Sequence, residues 1–395
     1  MPSSLSRAAT RATVAIGLYG WVNGSLAAGV VRLDERLDLS ATVIALHLVF
    51  FAVGLIGAGL LSQRLPRLVR RHATALFAAA LIPLLAAPHA ALSIAAALAL
   101  GGFGSLSMAA AQAAIARVGG ARSARVLLIA NLAAAATSAL SAFVIGAVAV
   151  ELAVLAAVAA LAVGVYARVA PEPSGVDALG AGDSAQGSAL DRASGDGALD
   201  ARAARTPLPV LAGLLMAGCA ASVEYTLANQ LGSFLIDTHV TASWAALAPS
   251  LLFGGLTAGR VVGVFITRVA PMRTLSVSLL IVGAGLVPIW LLDSAWLRLA
   301  ATFGVGVGLG SLYPLTVSVI LAASPHPERT SAHTTVAVGI SLLTVPLITG
   351  VLTDVTTPRQ GFTMIVALVG LAAVALAAMP RGSGAMRAGE PRRLP

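Results

Sequence analysis

The chain has 395 residues, 58% of them hydrophobic and 10% charged, with a mean hydropathy of +0.92. This composition excludes a water-soluble domain and is that of a polytopic helical membrane protein. The formal net charge of +9 does not point to nucleic acid, because the arginines fall in short gaps between apolar runs and form no patch on a soluble domain.

In chain order the sequence predicts about twelve membrane-length segments. The first six lie near 13–31, 41–62, 73–88, 92–116, 126–147 and 150–168. The second six lie near 208–236, 243–267, 274–292, 296–322, 334–354 and 360–379. A charged loop, and no small-residue cleavage site, follows the first run, so it is expected to remain as a helix. Ser40 is suited to cap the second segment, Asp293-Ser294 separates the ninth from the tenth, and Pro358 breaks the chain before the last.

Two six-helix units are expected, at 1–170 and 208–380. The stretch 171–207 between them is rich in Gly, Ala, Ser and Asp and reads as a disordered cytoplasmic linker, and 381–395 reads as a solvated tail. Arg7, Arg11, the cluster Arg64, Arg67, Arg70 and Arg71, then Arg117, Arg122, Arg125, Arg268, Arg273, Arg329 and the tail arginines all fall on one side. The other side holds Asp34, Glu35, Asp38, Glu151, Asp237, Asp293 and Asp354. The positive-inside rule places the arginine-rich side and both termini in the cytoplasm. Cys219 is the single cysteine, so no intrachain disulfide can form.

The seventh segment carries Glu224 near its middle. At about 1.5 Å per residue this carboxyl stands near the midplane of a bilayer, where an acid usually faces a bundle interior and carries function. Glu224 is therefore a candidate proton carrier, with a structural acid bonded to a neighbouring helix as the plainer reading. His47 on the second segment is a second candidate for proton relay, against a histidine that simply bonds a backbone carbonyl. Asn131 with Ser138 on the fifth segment reads either as interhelical glue or as a solute ligand. Arg260, in the eighth segment, either snorkels or makes a gate contact to carbonyls or to an acid across the half interface. No arginine is expected at the depth of Glu224.

The halves repeat. GLIGAGLLSQRLPRLVRRHA from Gly54 aligns with GLTAGRVVGVFITRVAPMRT from Gly255, and GFGSLSMAAAQ from Gly102 aligns with GLGSLYPLTVS from Gly308. With this six-plus-six plan and the basic loop LSQRLPRLVRRH, the sequence resembles the major facilitator superfamily over essentially all of the chain except the linker and tail. GCAASVEYTLANQLGSFL, FGGLTAGRVVG and GVGLGSLYPLTVS resemble the fucose-permease branch and its sugar-transporter-like relatives more narrowly. The amides Asn23 and Gln112 stand where that branch has acids, and the basic loop lacks the acid usual near its start.

The resemblance implies an all-α fold of twelve transmembrane helices in two pseudo-symmetric bundles. Segments one, four, seven and ten would line a central cavity. Candidate solute ligands on them are Tyr19 and Asn23, Gln112 with Ser105 and Met108 on its face, Tyr225 and Asn229 with Ser222 and Ser233, and Tyr313 beside Pro314. On an ideal helix Glu224 points away from Ser222, Tyr225, Asn229 and Ser233, so either the helix is unwound locally or Glu224 addresses a neighbouring helix. Candidate gating residues are Arg64, Arg67, Arg71, Arg260 and Arg268.

No nucleotide-binding loop, metal-ligand spacing or hydrolase elbow occurs, so neither an enzyme nor a cofactor is expected. The expectation is a secondary transporter in the cell (inner) membrane, acting as a monomer. It would move a small polar solute, a sugar or related metabolite, by proton symport. The alternatives are a proton-antiport exporter of drugs or metabolites and a transport-inactive sensor or scaffold.

Overall fold

The computed structural model describes residues 4–61, 64–66, 68–69, 72–116, 120–147, 208–266, 271–324 and 327–379. Every element within them is a helix. In a bilayer this follows from the absence of water, since each backbone N–H and C=O must be paired inside the segment. The helices are α1 Ser4–Leu37, α2 Ala41–Leu61, α3 Ala73–Ala79, α4 Leu81–Leu85, α5 Ala90–Ala116, α6 Gly120–Ala147, α7 Leu208–Asp237, α8 Ala242–Ala245, α9 Ala248–Ile266, α10 Pro271–Leu291, α11 Ala295–Ala323, α12 Pro327–Val355 and α13 Pro358–Ala378. Nine helical stretches among the described residues are long and apolar enough to cross a membrane, and 73–85 and 129–145 are shorter apolar helices. The segment expected at 150–168, the linker and the tail lie outside the described residues.

Most expected segments have an observed helix, but α1 extends at both ends beyond 13–31 and takes in Asp34 and Glu35, expected in a loop, and α6 and α12 begin earlier than 126 and 334; two segments are also divided. The third segment divides at Ala80 into α3 and α4, and the eighth begins as the single turn α8 before α9. Ser40 accepts from the Val43 amide (3.3 Å), as expected, and Pro358 stands in the first turn of α13, where Thr357, a cap the sequence reading did not name, accepts from the Gln360 amide (3.2 Å).

Glycine positions set how the helices pack. In lipid no hydrophobic force drives helices together, so close backbone approach at small residues supplies van der Waals contact instead. α2 and α5 meet where Gly54 faces the Leu98 carbonyl and Gly101 faces the Phe51 carbonyl, both too close to admit a Cβ. α9 and α11 repeat this arrangement, with Gly255 against the Phe303 carbonyl and Gly306 against the Leu252 carbonyl. The equivalence of Gly54 and Gly255 follows the alignment read from sequence. The second alignment needs correction: Gly101, and not Gly102, plays the part of a C-terminal glycine, and its counterpart is Gly306. Gly308 instead lies against Ser278 and Val282 of α10. The sequence match rested on a shared GxGSL string and so slipped by one residue from the packing.

Helices from before and after the 148–207 stretch pack against one another in two main places, α2 along α12 and α6 along α9, with α1 and α7 meeting between them. One end of the structure carries Asp34, Asp38, Asp237, Asp293 and Asp354 and is called the acidic end below; the opposite end carries Arg64 and Arg273. At the acidic end Arg36 donates to the Leu85 carbonyl (2.9 Å). Arg298 lies inside α11 and is fully buried. It donates to the Leu292 carbonyl and to Thr238 Oγ1 (2.6 Å), pairs with Asp293 (3.3 Å) and stands over the Phe234 ring.

Candidate functional site

α7 stays helical without a break from Leu208 to Asp237, so local unwinding is not what aims its polar groups. At 100° per residue Glu224 and Tyr225 point to adjacent sectors of the helix, and both are half-buried. Tyr225 reaches Tyr19 of α1, the two hydroxyl groups interacting across the junction of the N- and C-terminal helices. The Glu224 carboxyl is close enough to act electrostatically on the hydroxyls of Tyr19, Tyr225 and Tyr313. Three of the four tyrosines in the chain thus gather round one acid. Glu224 addresses the neighbouring helices, the second of the two geometries open from sequence.

Arg260 of α9 completes the group. Its Nη1 donates to the Asn131 carbonyl of α6 (3.1 Å), and its charge acts on Glu224. This corrects the expectation that no arginine lies near the acid's depth. How near Arg260 comes to Glu224 depends on how far α9 is shifted against α7, which the sequence does not show; the two groups act on each other at a distance and, among the described residues, form no ion pair. A guanidinium bonded to a carbonyl of the other helix group also makes the cross-interface contact proposed for a gate residue.

The surrounding helices hold the aromatic groups in place. Tyr19 stacks on Phe77 of α3 with ring centroids 5.4 Å apart, and Gly104 of α5 leaves room for both rings. Tyr313 is half-buried on α11 one residue before Pro314, which has no N–H to offer the Gly310 carbonyl. Asn23, Ser105 and Met108 are half-buried on α1 and α5.

Other expected ligands are placed differently. Asn229 is buried and its Nδ2 donates back to the Tyr225 carbonyl (2.9 Å); Ser222 is buried with it, and Ser233, also buried, borders a small cavity toward the acidic end. Among the described residues the Ser222 and Thr226 hydroxyls and Asn229 Oδ1 form a buried polar row without hydrogen-bond partners. Ser138 donates to the Gly20 carbonyl of α1 (2.7 Å), the interhelical glue of the plainer reading.

His47 is held within the N-terminal helices. Its Nδ1 is 2.9 Å from the Val43 carbonyl and its Nε2 is 2.7 Å from Ser93 Oγ, with the side chain buried. Both ring nitrogens are occupied within the α2–α5 pair, the backbone-bonded histidine of the plainer reading. Arg64 is exposed beyond the end of α2. Arg67, Arg71, Arg268 and the Gln112 side chain lie outside the described residues. Gln230, which the sequence reading passed over, is half-buried and donates to the Pro346 carbonyl of α12 (3.0 Å); an amide in an apolar run less than two turns from Glu224 was the available signal.

No protein-family model matches the sequence, and no curated protein matches it. Solved structures do match over nearly the whole chain. One is a bacterial homologue of the human lysosomal transporter Spinster in an inward-facing, occupied conformation, with TM-score 0.63, 17% identity, and coverage of 94% of this chain and 95% of that one. The nucleoside transporter NupG gives TM-score 0.63 at 11% identity, over 94% of this chain and 100% of its own. A D-xylose-proton symporter gives TM-score 0.68 at 12% identity, over 96% and 98%. With its order of helices, its apolar spans and these likenesses over both chains' lengths, the protein has the all-α, polytopic major facilitator fold.

Proposed function

We propose that the protein is a secondary transporter moving a small polar solute by alternating access around Glu224, with proton symport as its driving force. The observation that carries this reading is the gathering of Glu224, Tyr19, Tyr225, Tyr313 and Arg260 on four helices at the junction of the two helix groups. Residues 1–170 and 208–380 are the two units that rock against each other, joined by 171–207, with the arginine-rich end and both termini cytoplasmic.

A phenol offers an apolar ring face and a polar tip, so three of them suit a compact solute carrying several hydroxyl groups, such as a sugar. Solved neighbours of the fold include a D-xylose-proton symporter and a nucleoside transporter, both with solutes of this kind. A carboxyl in this position can hold a proton while the solute is bound and release it when the site opens to water, coupling the two movements without a charge crossing exposed lipid. Arg260 is the countercharge that receives the acid when the proton leaves.

The test is the Glu224→Gln variant in proteoliposomes, after a panel of pentoses, hexoses and nucleosides has identified a transported solute by counterflow. Gln keeps the size and hydrogen bonding but carries no titratable proton. Counterflow is expected to persist while accumulation driven by an imposed pH gradient is lost. Wild-type accumulation in the variant would remove Glu224 from coupling.

A further inference from the structure

Asp354 stands one residue before the C-terminal end of α12, and its carboxylate reaches across to the other group of helices. Oδ1 accepts from the Ala41 amide at 2.8 Å and Oδ2 accepts from the Thr42 amide at 2.9 Å, residues more than three hundred positions earlier in the chain. These are first-turn N–H groups of α2, which have no partner inside the helix and carry its positive dipole end. Ser40 takes the next amide, that of Val43. The start of α2 is therefore capped jointly by its own serine and by an acid borrowed from α12.

Backbone packing converges on the same point. Gly350, one turn before Asp354, lies so near α2 that a Cβ there would come within 2.5 Å of the Ala41 carbonyl and 2.9 Å of the Ala45 Cβ. Beneath the contact, toward the membrane interior, is a small cavity bordered by Ile44, Ser233, Phe234 and Thr349. Among the described residues Asp354 makes no ion pair, so the α2 amides are what its charge is set against.

We propose that Asp354 is the latch of the acidic-end gate: its carboxylate, by capping α2 from across the interface, holds α2 and α12 together and stabilises the state closed at that end. Opening there separates α12 from α2 and gives up the two charge-assisted bonds, leaving the carboxylate and the helix-start amides to water alone. The cap is thus complete in only one of the two access states, and it biases the equilibrium between them. This inference rests on the alternating-access reading proposed above.

The experiment reads conformation without transport. A Thr349→Cys reporter is placed in the cavity beneath the latch, on a background whose native Cys219 is buried. A membrane-impermeant maleimide is added from the acidic-end side of proteoliposomes containing the full chain. Asp354→Asn, which puts an amide nitrogen against N–H donors, and Asp354→Ala are each expected to raise the labelling rate about tenfold, the worth of a helix cap. Asp354→Glu retains the charge and is expected to fall between them and the parent. Thermal unfolding of each variant verifies that the protein is folded, and Asp354→Asn carries the test if the alanine variant is not. An unchanged labelling rate in folded Asp354→Asn would overturn the latch. A raised rate in a protein that moves no solute would leave the latch standing and defeat the transport reading instead.

Discussion

The pairs α2–α5 and α9–α11 are built on the same backbone plan and carry different chemistry. In each, two glycines face carbonyls of the opposite helix, Gly54 and Gly101 in the first and Gly255 and Gly306 in the second. Beyond this shared core the second pair continues its close approach, with Gly259 against the Val307 carbonyl and Gly310 against the Leu256 carbonyl and the Arg260 amide. The corresponding positions of the first pair are Ala58 and Ser105, and those of Arg260 and Tyr313 are Gly59 and Met108. The first pair instead encloses the His47–Ser93 bond, satisfied within itself. Packing is thus repeated while only the second pair carries an arginine and a tyrosine, Arg260 and Tyr313, at the matching positions, so a repeat in sequence locates a frame and does not by itself locate a site.

That contrast can be broken at several strengths. Gly101→Ala and Gly306→Ala each push a methyl group into a backbone carbonyl and are expected to destabilise the protein by about 1–3 kcal/mol. The two losses should be alike in thermal unfolding of the purified protein, and a large inequality would mean that the pairs are not equivalent frames.

Arg260→Ala removes a charge-assisted bond to the Asn131 carbonyl and the countercharge of Glu224. Turnover is expected to fall about tenfold while solute affinity in a fixed state changes little. Undiminished turnover in counterflow would reduce Arg260 to a snorkelling residue.

His47→Gln is expected to cost ~1 kcal/mol of stability through its two buried bonds and to leave proton coupling intact. Loss of pH-driven accumulation with a normal melting profile would return His47 to the relay. The smallest effect is expected from Tyr313→Phe, about threefold in solute affinity for one lost hydroxyl contact, with Met108→Leu neutral at the matching position. Equal effects from both would dissolve the asymmetry between the two helix pairs.

Much of the site was legible as residue types. Glu224 was visible because an acid in an apolar run needs a reason, and Tyr19, Tyr225 and Tyr313 because they stand on segments that the family resemblance places around a cavity. The surroundings of Ser222, Asn229 and Ser233 were not legible, because helical spacing shows which residues share a face and not what that face meets. The Asp354 cap was invisible for a related reason, since an acid at a helix end is ordinary in a loop and its partner lies more than three hundred residues away.

Hydropathy and helix signals determined the class of protein, the spans and most of their ends, because hydrocarbon demands internally bonded segments of a set length and leaves the chain little choice. Tertiary packing decided which polar groups meet. Rotation and axial shift of neighbouring helices have no local signature, being set by close contacts such as Gly255 on Phe303 and Gly350 on Ala41. Those contacts brought Arg260 to Glu224, closed His47 on Ser93, and set the Asp354 carboxylate on the first turn of α2.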